Sequence, residues 1–320
     1  SYSKVRAIVL MGDGQADRVV TILSGLKQPH GILTTCSSAT TCTLYVAETG
    51  ELKAYAYDAL TYTATYQKTL ATMPAGGGHF TRTLLLHPDG KRLLVSIGSS
   101  CNACDEADPR RASVQAVDLA TGTMTPFATG LRNTVFMATS YLTGEVWGTD
   151  NSRDLLGDDI PPDEVNIIKQ GGNYGWPFCY GERVHDTDFD KKQYIRDPCL
   201  DTLPPRIPLQ AHSAALGLAF VLEEGWPEDW RNDLVVAYHG SWNRSEPTGY
   251  KVVRFDFING EVLQDQFPTD FITGFLPEGE SDTDNAIGRP VGVLAEPGGV
   301  VYISDDRAGA IYKIALTEPQ

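Results

Sequence analysis

The sequence predicts an all-β protein built as a β-propeller, and three observations support that prediction. The 31 glycines and 19 prolines make up about a sixth of the 320 residues, which indicates a chain rich in turns. The apolar residues stand in short β-branched or aromatic runs, and no segment keeps the 3.6-residue period of a long helix. A unit of a short apolar strand, a polar turn and a second strand recurs along the chain.

Five copies of this unit can be counted along the chain. Their first strands begin at Leu44, Leu93, Val146, Leu234 and Val301. Successive starts lie 49, 53, 88 and 67 residues apart. A period near fifty residues with about four strands in each unit is the signature of propeller blades. Residues 4–11 and 19–23 supply part of a further blade, so we expect a six-bladed ring with an incomplete first blade and one domain over residues 1–320.

The charge balance excludes two classes of partner. The chain has 26 Lys and Arg against 41 Asp and Glu, a net charge of −15, and no run of basic residues. Contacts to nucleic acid phosphates need clustered cations, so no nucleic acid partner is expected. The longest aliphatic stretch, residues 7–11, is far shorter than a membrane span, so no membrane partner is expected either.

The six cysteines favour disulfides and an oxidising compartment, since their number is even and the chain is acidic. Zinc binding is the weaker alternative, because the chain has one C-x-x-C and no second pair to complete four ligands. We therefore expect a periplasmic or secreted protein. The pairs expected from proximity along the chain are Cys36 with Cys42, Cys101 with Cys104, and Cys179 with Cys199.

A few side chains stand where function is expected. His79 follows three glycines that let the backbone approach a ligand closely, although a histidine that only bonds a loop carbonyl is the alternative. Arg132, Arg244 and Arg289 each lie in a loop beside an apolar strand of a different blade. Converging guanidinium groups suit a polycarboxylate, whereas surface arginines paired with the abundant acids are the alternative. The acid-rich loop 150–164 suits Ca²⁺ or is merely solvated.

A set of ordered motifs adds a family resemblance over nearly the whole chain. They resemble the soluble pyrroloquinoline quinone (PQQ)-dependent sugar dehydrogenases, in particular the bacterial sorbosone dehydrogenase-like branch, with the fungal PQQ-dependent pyranose dehydrogenases as relatives. The motifs are GDGQADRV at 12–19, GLRNT at 130–134, TDNSRD at 149–154, LGDD at 156–159, GGNYGWP at 171–177, YHGSWNRS at 238–245, GRPV at 288–291 and SDDRAGAIY at 304–312.

The resemblance implies a six-bladed propeller that binds PQQ and Ca²⁺, and it implies roles by motif position. His79 corresponds to the general base that takes a proton from the anomeric hydroxyl while hydride passes to the quinone. The main-chain carbonyls of Ser152 and Arg153 correspond to ligands of the Ca²⁺ ion. The residues that correspond to those holding the PQQ carboxylates and quinone oxygens are Arg132, Asn133, Arg244 and Arg289.

The expected activity is oxidation of a sugar or sugar aldehyde, with electrons passing to an external acceptor such as a cytochrome or a dye. The polar residues that hold glucose in relatives have no clear counterpart after Gly98, where the C-x-x-C segment lies. Two alternatives stay open. One is a Ca²⁺-dependent lactonase on a similar propeller. The arginines argue against it, because that chemistry needs carboxylates around a metal. The other is a propeller that keeps the scaffold without turnover.

Overall fold

A computed structural model of the chain consists almost entirely of β-strands. It describes residues 3–12, 14–38, 40–222, 224–258, 260–262 and 267–316. These residues form 26 strands and two short 3₁₀ helices, Glu228–Trp230 and Thr283–Asn285. The predicted all-β class is confirmed.

The chain divides into two compact units. The first contains Ser1–Cys101 and Asp105–Phe127, and the second contains Asn102–Cys104 and Ala128–Gln320.

The first unit holds a two-stranded antiparallel sheet, β1-β2, and two larger antiparallel sheets whose strands follow one another in chain order, as in propeller blades. The last strand, β10, runs on into the second unit. The strands are β1 (Lys4–Leu10), β2 (Ala16–Ser24), β3 (Gly31–Ser38), β4 (Thr41–Ala47), β5 (Glu51–Asp58), β6 (Thr63–Thr72), β7 (Leu84–Leu86), β8 (Arg92–Ile97), β9 (Ser113–Asp118) and β10 (Met124–Thr129).

The second unit holds three further sheets of this kind. The strands are β11 (Thr134–Thr139), β12 (Val146–Asp150), β13 (Glu164–Ile167), β14 (Gly172–Asn173), β15 (Cys179–Tyr180), β16 (Val184–His185), β17 (Ile207–Pro208), β18 (Ala215–Phe220), β19 (Leu234–Tyr238), β20 (Lys251–Phe255), β21 (Phe257–Ile258), β22 (Glu261–Val262), β23 (Thr269–Ile272), β24 (Pro290–Glu296), β25 (Val300–Asp305) and β26 (Ala310–Ala315). The sheets have the orders β11-β12-β13-β17, β18-β19-β20-β23 and β24-β25-β26.

Aromatic side chains fill the core between the first two sheets of the second unit. Trp147 is 2% exposed, and its ring meets the rings of Phe220 and Phe257 edge to face at 5.7 and 5.4 Å between centroids. Such pairs add about 0.5–1.5 kcal/mol each to the effect of burial. This core packs the two sheets face to face, as in neighbouring blades.

The expected count of six blades is wrong, because the described residues form five blades. The N-terminal segment that was expected to give part of a sixth blade forms only the β1-β2 hairpin. The next strand, β3, is already the first strand of the β3-β4-β5-β6 sheet, so no further strand of the described chain is left to extend the hairpin. The hairpin packs through Val5 onto Leu44, Val46 and Tyr55 of that sheet.

The predicted disulfides are present. Cys36 is bonded to Cys42 across the paired strands β3 and β4, and Cys179 is bonded to Cys199. The remaining two cysteines are also disulfide-bonded, so the zinc alternative is excluded. Within the described residues, no helix has the length and apolar character needed to cross a membrane.

The close approach of β18 and β24 makes a testable requirement for glycine at position 217. A Cβ atom on Gly217 would lie 2.5 Å from both the carbonyl oxygen of Val291 and the backbone nitrogen of Val293. We expect Gly217→Ala to lower the free energy of unfolding in urea by about 1–3 kcal/mol, since the strands must move apart. Gly12→Ala, where no atom lies within 4 Å, is the control. Equal stability of the two variants would contradict the packing of these strands.

Candidate functional site

The predicted residues of the second unit gather at one end of its three sheets. In each sheet the first strand begins beside the residue at which the second strand ends, as Thr134 pairs with Asp150 and Pro290 pairs with Asp305. Arg132 and Asn133 precede β11, Ser152 and Arg153 follow β12, Arg244 follows β19 and Arg289 precedes β24. Antiparallel pairing therefore places all of them in loops at the same end.

Arg132 is buried and held by acceptors of its own unit. Its Nε donates to the carbonyl of Asn102 at 3.0 Å, and one Nη donates to the carbonyl of Asn151 at 3.0 Å. The other Nη donates to Oδ1 of Asn102 and to Asp154, both at 2.9 Å. The side chain is 6% exposed, so this ion pair is well shielded from water. Asp154 thus neutralises the charge of Arg132.

Asp154 links Arg132 to the loop that carries Arg244. Its second carboxylate oxygen accepts from Nδ2 of Asn243 at 2.8 Å, and the same nitrogen lies 3.3 Å from Nδ1 of His212. Arg244 donates to the carbonyl of Asp158 at 2.7 Å and pairs with Asp159 at 3.2 Å. Two of the three predicted arginines therefore have acidic partners, as the surface alternative assumed, but Arg132 is buried in a network and is not a surface residue.

Arg289 differs from the other two arginines. Its Nε and one Nη donate to the carbonyls of His239 and Gly240, and its guanidinium lies 5.2 Å from the ring centroid of Tyr250. Among the described residues, no acidic side chain lies within ion-pair distance of Arg289. Its charge, and the N–H groups that these bonds leave over, are suited to a carboxylate of a ligand.

Two further features of the second unit fit a cofactor and a cation. Oδ1 of Asn133 is buried and has no hydrogen-bond partner in the described part of the chain, so it can accept a donor or contact a cation. The same part of the chain offers no donor to the carbonyl oxygens of Ser152 and Arg153, while the N–H of Ser152 is fixed by Asp163 at 3.0 Å. Oxygens of this kind are ligands that Ca²⁺ accepts.

Three buried carboxyl groups underlie these loops. Asp150 accepts the N–H groups of Arg132 and Asn133, and burial raises its pKa to about 7. Burial likewise raises the pKa of Asp163 to about 6. Burial, and then the charge of Asp150, raises the pKa of Glu164 to about 8. Because desolvation opposes ionisation, these three carboxyl groups together carry fewer than three negative charges at neutral pH.

His79 lies in the first unit, in the loop before β7, and its tautomer is defined by Ser99. Nδ1 of His79 lies 3.0 Å from the carbonyl oxygen of Ser99 and 2.9 Å from Ser99 Oγ, which itself donates to the carbonyl of Cys101. A carbonyl only accepts, so Nδ1 carries the proton and Nε2 is the basic nitrogen. The alternative for His79, a bond to a loop carbonyl, is thus present, and it is compatible with a base at Nε2.

Sequence reasoning missed the side chains that organise the predicted ones. Asn102 bonds both Arg132 and the N–H of Asp154, and its carbonyl also accepts from the indole of Trp176. Its place between two cysteines was the only signal. Ser99 lies two residues after the end of the apolar strand β8, in the loop that follows it.

One cavity of the first unit lies away from the predicted cofactor-binding residues. It has a volume of about 620 Å³, lies on the β3-β4-β5-β6 sheet and is lined mainly by threonines and by the Cys36–Cys42 disulfide. It contains none of the residues predicted to bind the cofactor or the metal.

The chain belongs to the TrAA12-like family, whose model matches residues 12–317. It is 26% identical to a PQQ-dependent sugar dehydrogenase of Hypocrea jecorina over 96% of this chain and 80% of the relative. It is 27% identical to a PQQ-dependent pyranose dehydrogenase of Coprinopsis cinerea over 84% of this chain and 44% of the relative. An uncharacterised protein of Borreliella burgdorferi is 32% identical over 74% of this chain and 60% of that protein. The chain thus spans less than two thirds of two of these relatives.

Two solved structures share the fold. A calcium structure of the Trichoderma reesei Carbohydrate-Active Enzymes Family AA12 superposes with a TM-score of 0.81 at 25% identity, covering 98% of this chain and 88% of that one. The holo form of the pyranose dehydrogenase PQQ domain from Coprinopsis cinerea gives a TM-score of 0.81 at 24% identity, covering 96% and 87%.

The buried carboxyl groups predict that stability falls as pH rises. Between about pH 4.5 and pH 8, Glu164 is protonated in the folded chain and ionised in the unfolded chain, so the folded state binds more protons. Each such group lowers the free energy of unfolding by up to about 1.4 kcal/mol per pH unit. Glu164→Gln should flatten this slope in urea titrations from pH 5 to 8, and Glu261→Gln, an exposed control, should not. An unchanged slope in Glu164→Gln would show that this carboxyl ionises normally.

Proposed function

We propose that this chain is a PQQ- and calcium-dependent oxidoreductase that oxidises a sugar or sugar aldehyde. The observation that carries the proposal is the Arg132–Asp154–Asn243 network together with Arg289 in a separate loop at the same end of the sheets of the second unit, in a chain whose relatives include PQQ-dependent sugar dehydrogenases. Among the described residues, Arg289 has no carboxylate within ion-pair distance.

The residues of the second unit would hold the cofactor and the ion. Arg289 would bind a carboxylate of PQQ, and Arg132, Asn133 and Arg244 would hold its other oxygens. Because Arg132 is anchored by Asn102 and Asp154, its guanidinium is fixed in orientation before any ligand binds. The carbonyls of Ser152 and Arg153 would hold the calcium ion. PQQ, when bound, supplies the hydride acceptor, and the chemistry of hydride transfer is its own.

His79 would serve as the general base. Its Nδ1 donates to Ser99, so Nε2 has the lone pair that takes the hydroxyl proton of the sugar. Electrons then leave to an external acceptor such as a cytochrome or a dye.

The compartment and domain organisation follow the same proposal. Three disulfides support a location in the periplasm or outside the cell, where thiols are oxidised. We also propose that the whole chain acts as one domain. The lactonase alternative needs carboxylates around a metal, and no group of three His, Asp or Glu in the described chain offers ligand atoms close enough together.

Cofactor binding tests the role of Arg289. We expect PQQ with Ca²⁺ to bind the wild-type chain and Arg289→Ala to bind it about 10–100-fold more weakly, because a charge-assisted hydrogen bond is lost. Arg206→Ala is the matched control, since Arg206 pairs with Glu261 at β22. Binding is followed by calorimetry. A wild-type chain that binds no PQQ would overturn the whole proposal, and equal affinity of the two variants would remove Arg289 from the site.

Turnover tests the role of His79. With PQQ and Ca²⁺ added, we expect wild-type protein to reduce a dye with at least one member of a panel of aldoses and sugar aldehydes. His79→Ala should lower this rate about 10²–10⁴-fold with PQQ affinity retained, because only proton transfer is lost. His87→Ala, a turn residue, is the control. PQQ binding without turnover would favour the scaffold alternative, and lactone hydrolysis without PQQ would favour the lactonase.

A further inference from the structure

Two arginines of the first unit are buried without an acidic partner. Arg82 is 0% and Arg111 is 8% exposed, and among the described residues no carboxylate lies within ion-pair distance of either. Burial lowers the pKa of Arg82 to about 10, and the charge of the nearby Arg111 adds to this shift. Arg82 therefore stays charged at neutral pH. Asp108 interacts with the charge of Arg111, but its ion pair is with Arg110. Buried cations without a carboxylate in ion-pair distance are costly, so other contacts have to hold this pair.

Arg82 reaches the backbone on both sides of His79. One Nη donates to the carbonyl of His79 itself at 3.2 Å and to that of Thr81 at 2.6 Å. The other Nη donates to the carbonyl of Pro74 at 2.7 Å, and Nε donates to that of Thr49 at 3.1 Å. All these acceptors are main-chain oxygens, whose dipoles take the place of a carboxylate.

Arg111 contacts the start of the same loop. One of its Nη atoms lies 3.3, 3.0 and 2.5 Å from the successive carbonyl oxygens of Pro74, Ala75 and Gly76. The other Nη donates to the carbonyl of Gly98, directly before Ser99. The two guanidinium groups share the carbonyl of Pro74, so they act on the loop as a pair.

The loop needs such support because its sequence gives it little of its own. Gly76 and Gly77 both have positive φ, at 76° and 84°, and glycines lose more backbone freedom on ordering than any other residue. A Cβ on Gly77 would lie 2.8 Å from Cα of Ser100, so the backbone of residues 76–78 has to pass close to that neighbour. The N–H groups of Gly78 and His79 then bond the carbonyls of Ser100 and Ser99.

We propose that Arg82 and Arg111 are positioning residues that lock the loop 74–79 and thereby hold His79 in one orientation against Ser99. The inference rests on the proposed function in one respect, that His79 is the general base. The lock itself is a property of the protein without cofactor. Guanidinium groups suit this role because each has N–H donors on three nitrogens in one plane, so that Arg111 reaches both the carbonyls of residues 74–76 and that of Gly98.

The neighbouring arginines 110 and 111 allow a matched test in turnover. Arg110 pairs with Asp108 and reaches only the carbonyl of Thr72. We expect Arg111→Ala to lower kcat about 10–100-fold with KM changed less than about 3-fold, because a displacement of about 1 Å at a reacting group costs rate and not affinity. Arg110→Ala should stay within about 2-fold of wild type. Millimolar methylguanidinium should restore Arg111→Ala, and not His79→Ala, by occupying the vacated space.

A second measurement needs no turnover. In the apo protein labelled with ¹⁵N at histidine, the side chain of His79 should show one tautomer, protonated at Nδ1, in wild type and Arg110→Ala. In Arg111→Ala, or in Arg111→Lys if the alanine variant does not fold, it should show averaged tautomers. Wild-type-like spectra together with wild-type kcat in a folded Arg111 variant would overturn the lock. Averaged tautomers in a protein without PQQ turnover would support the lock and refute only the proposed function.

Discussion

The candidate site depends on buried carboxylates that receive backbone N–H groups where the first strand of a blade begins. An N–H at that point has no strand partner, and a buried donor without a partner is costly. Asp150 accepts the amides of Arg132 and Asn133, and Asp305 accepts the amide of Arg289. Each aspartate ends the second strand of its blade, directly opposite the start of the first. The same pairing that closes the sheet therefore fixes the backbone of the arginines.

In this arrangement one set of groups orders the loop and another is left to bind a ligand. Because carboxylates hold the main chain, the guanidinium of Arg289 is not needed to order its own loop. The cost lies in desolvation, which raises the pKa of Asp150 well above the usual value for an aspartate. Buried acids beneath the loops orient the donors of those loops before a ligand binds. Preorganised donors of this kind favour binding of a polycarboxylate ligand.

The sequence predicted the blades and the ends of strands, and it failed where partners are distant along the chain. Short β-branched runs and turns reveal each sheet, since side-chain alternation and turn residues are local properties. The hairpin β1-β2 was overcounted, because two strands look the same whether or not two more join them. The contact of Asn102 with Arg132 spans 30 residues, and that of Arg111 with Pro74 spans 37, so neither leaves a local pattern. Residue positions were thus predictable and their partners were not.

The described arginines differ most usefully in what neutralises them. Arg132 has a carboxylate, Arg82 and Arg111 have main-chain carbonyls, and Arg289 has two carbonyls and an aromatic ring but, among the described residues, no acid within ion-pair distance. In a chain with a net charge of −15, an arginine without an acidic partner is not explained by a shortage of acids. Arg82 and Arg111 contact carbonyls of several segments and so order the backbone. Arg289 keeps N–H donors that its two carbonyl partners do not engage, and it interacts with the charge of Asp306 only beyond ion-pair distance. These donors suit Arg289 to an anionic ligand.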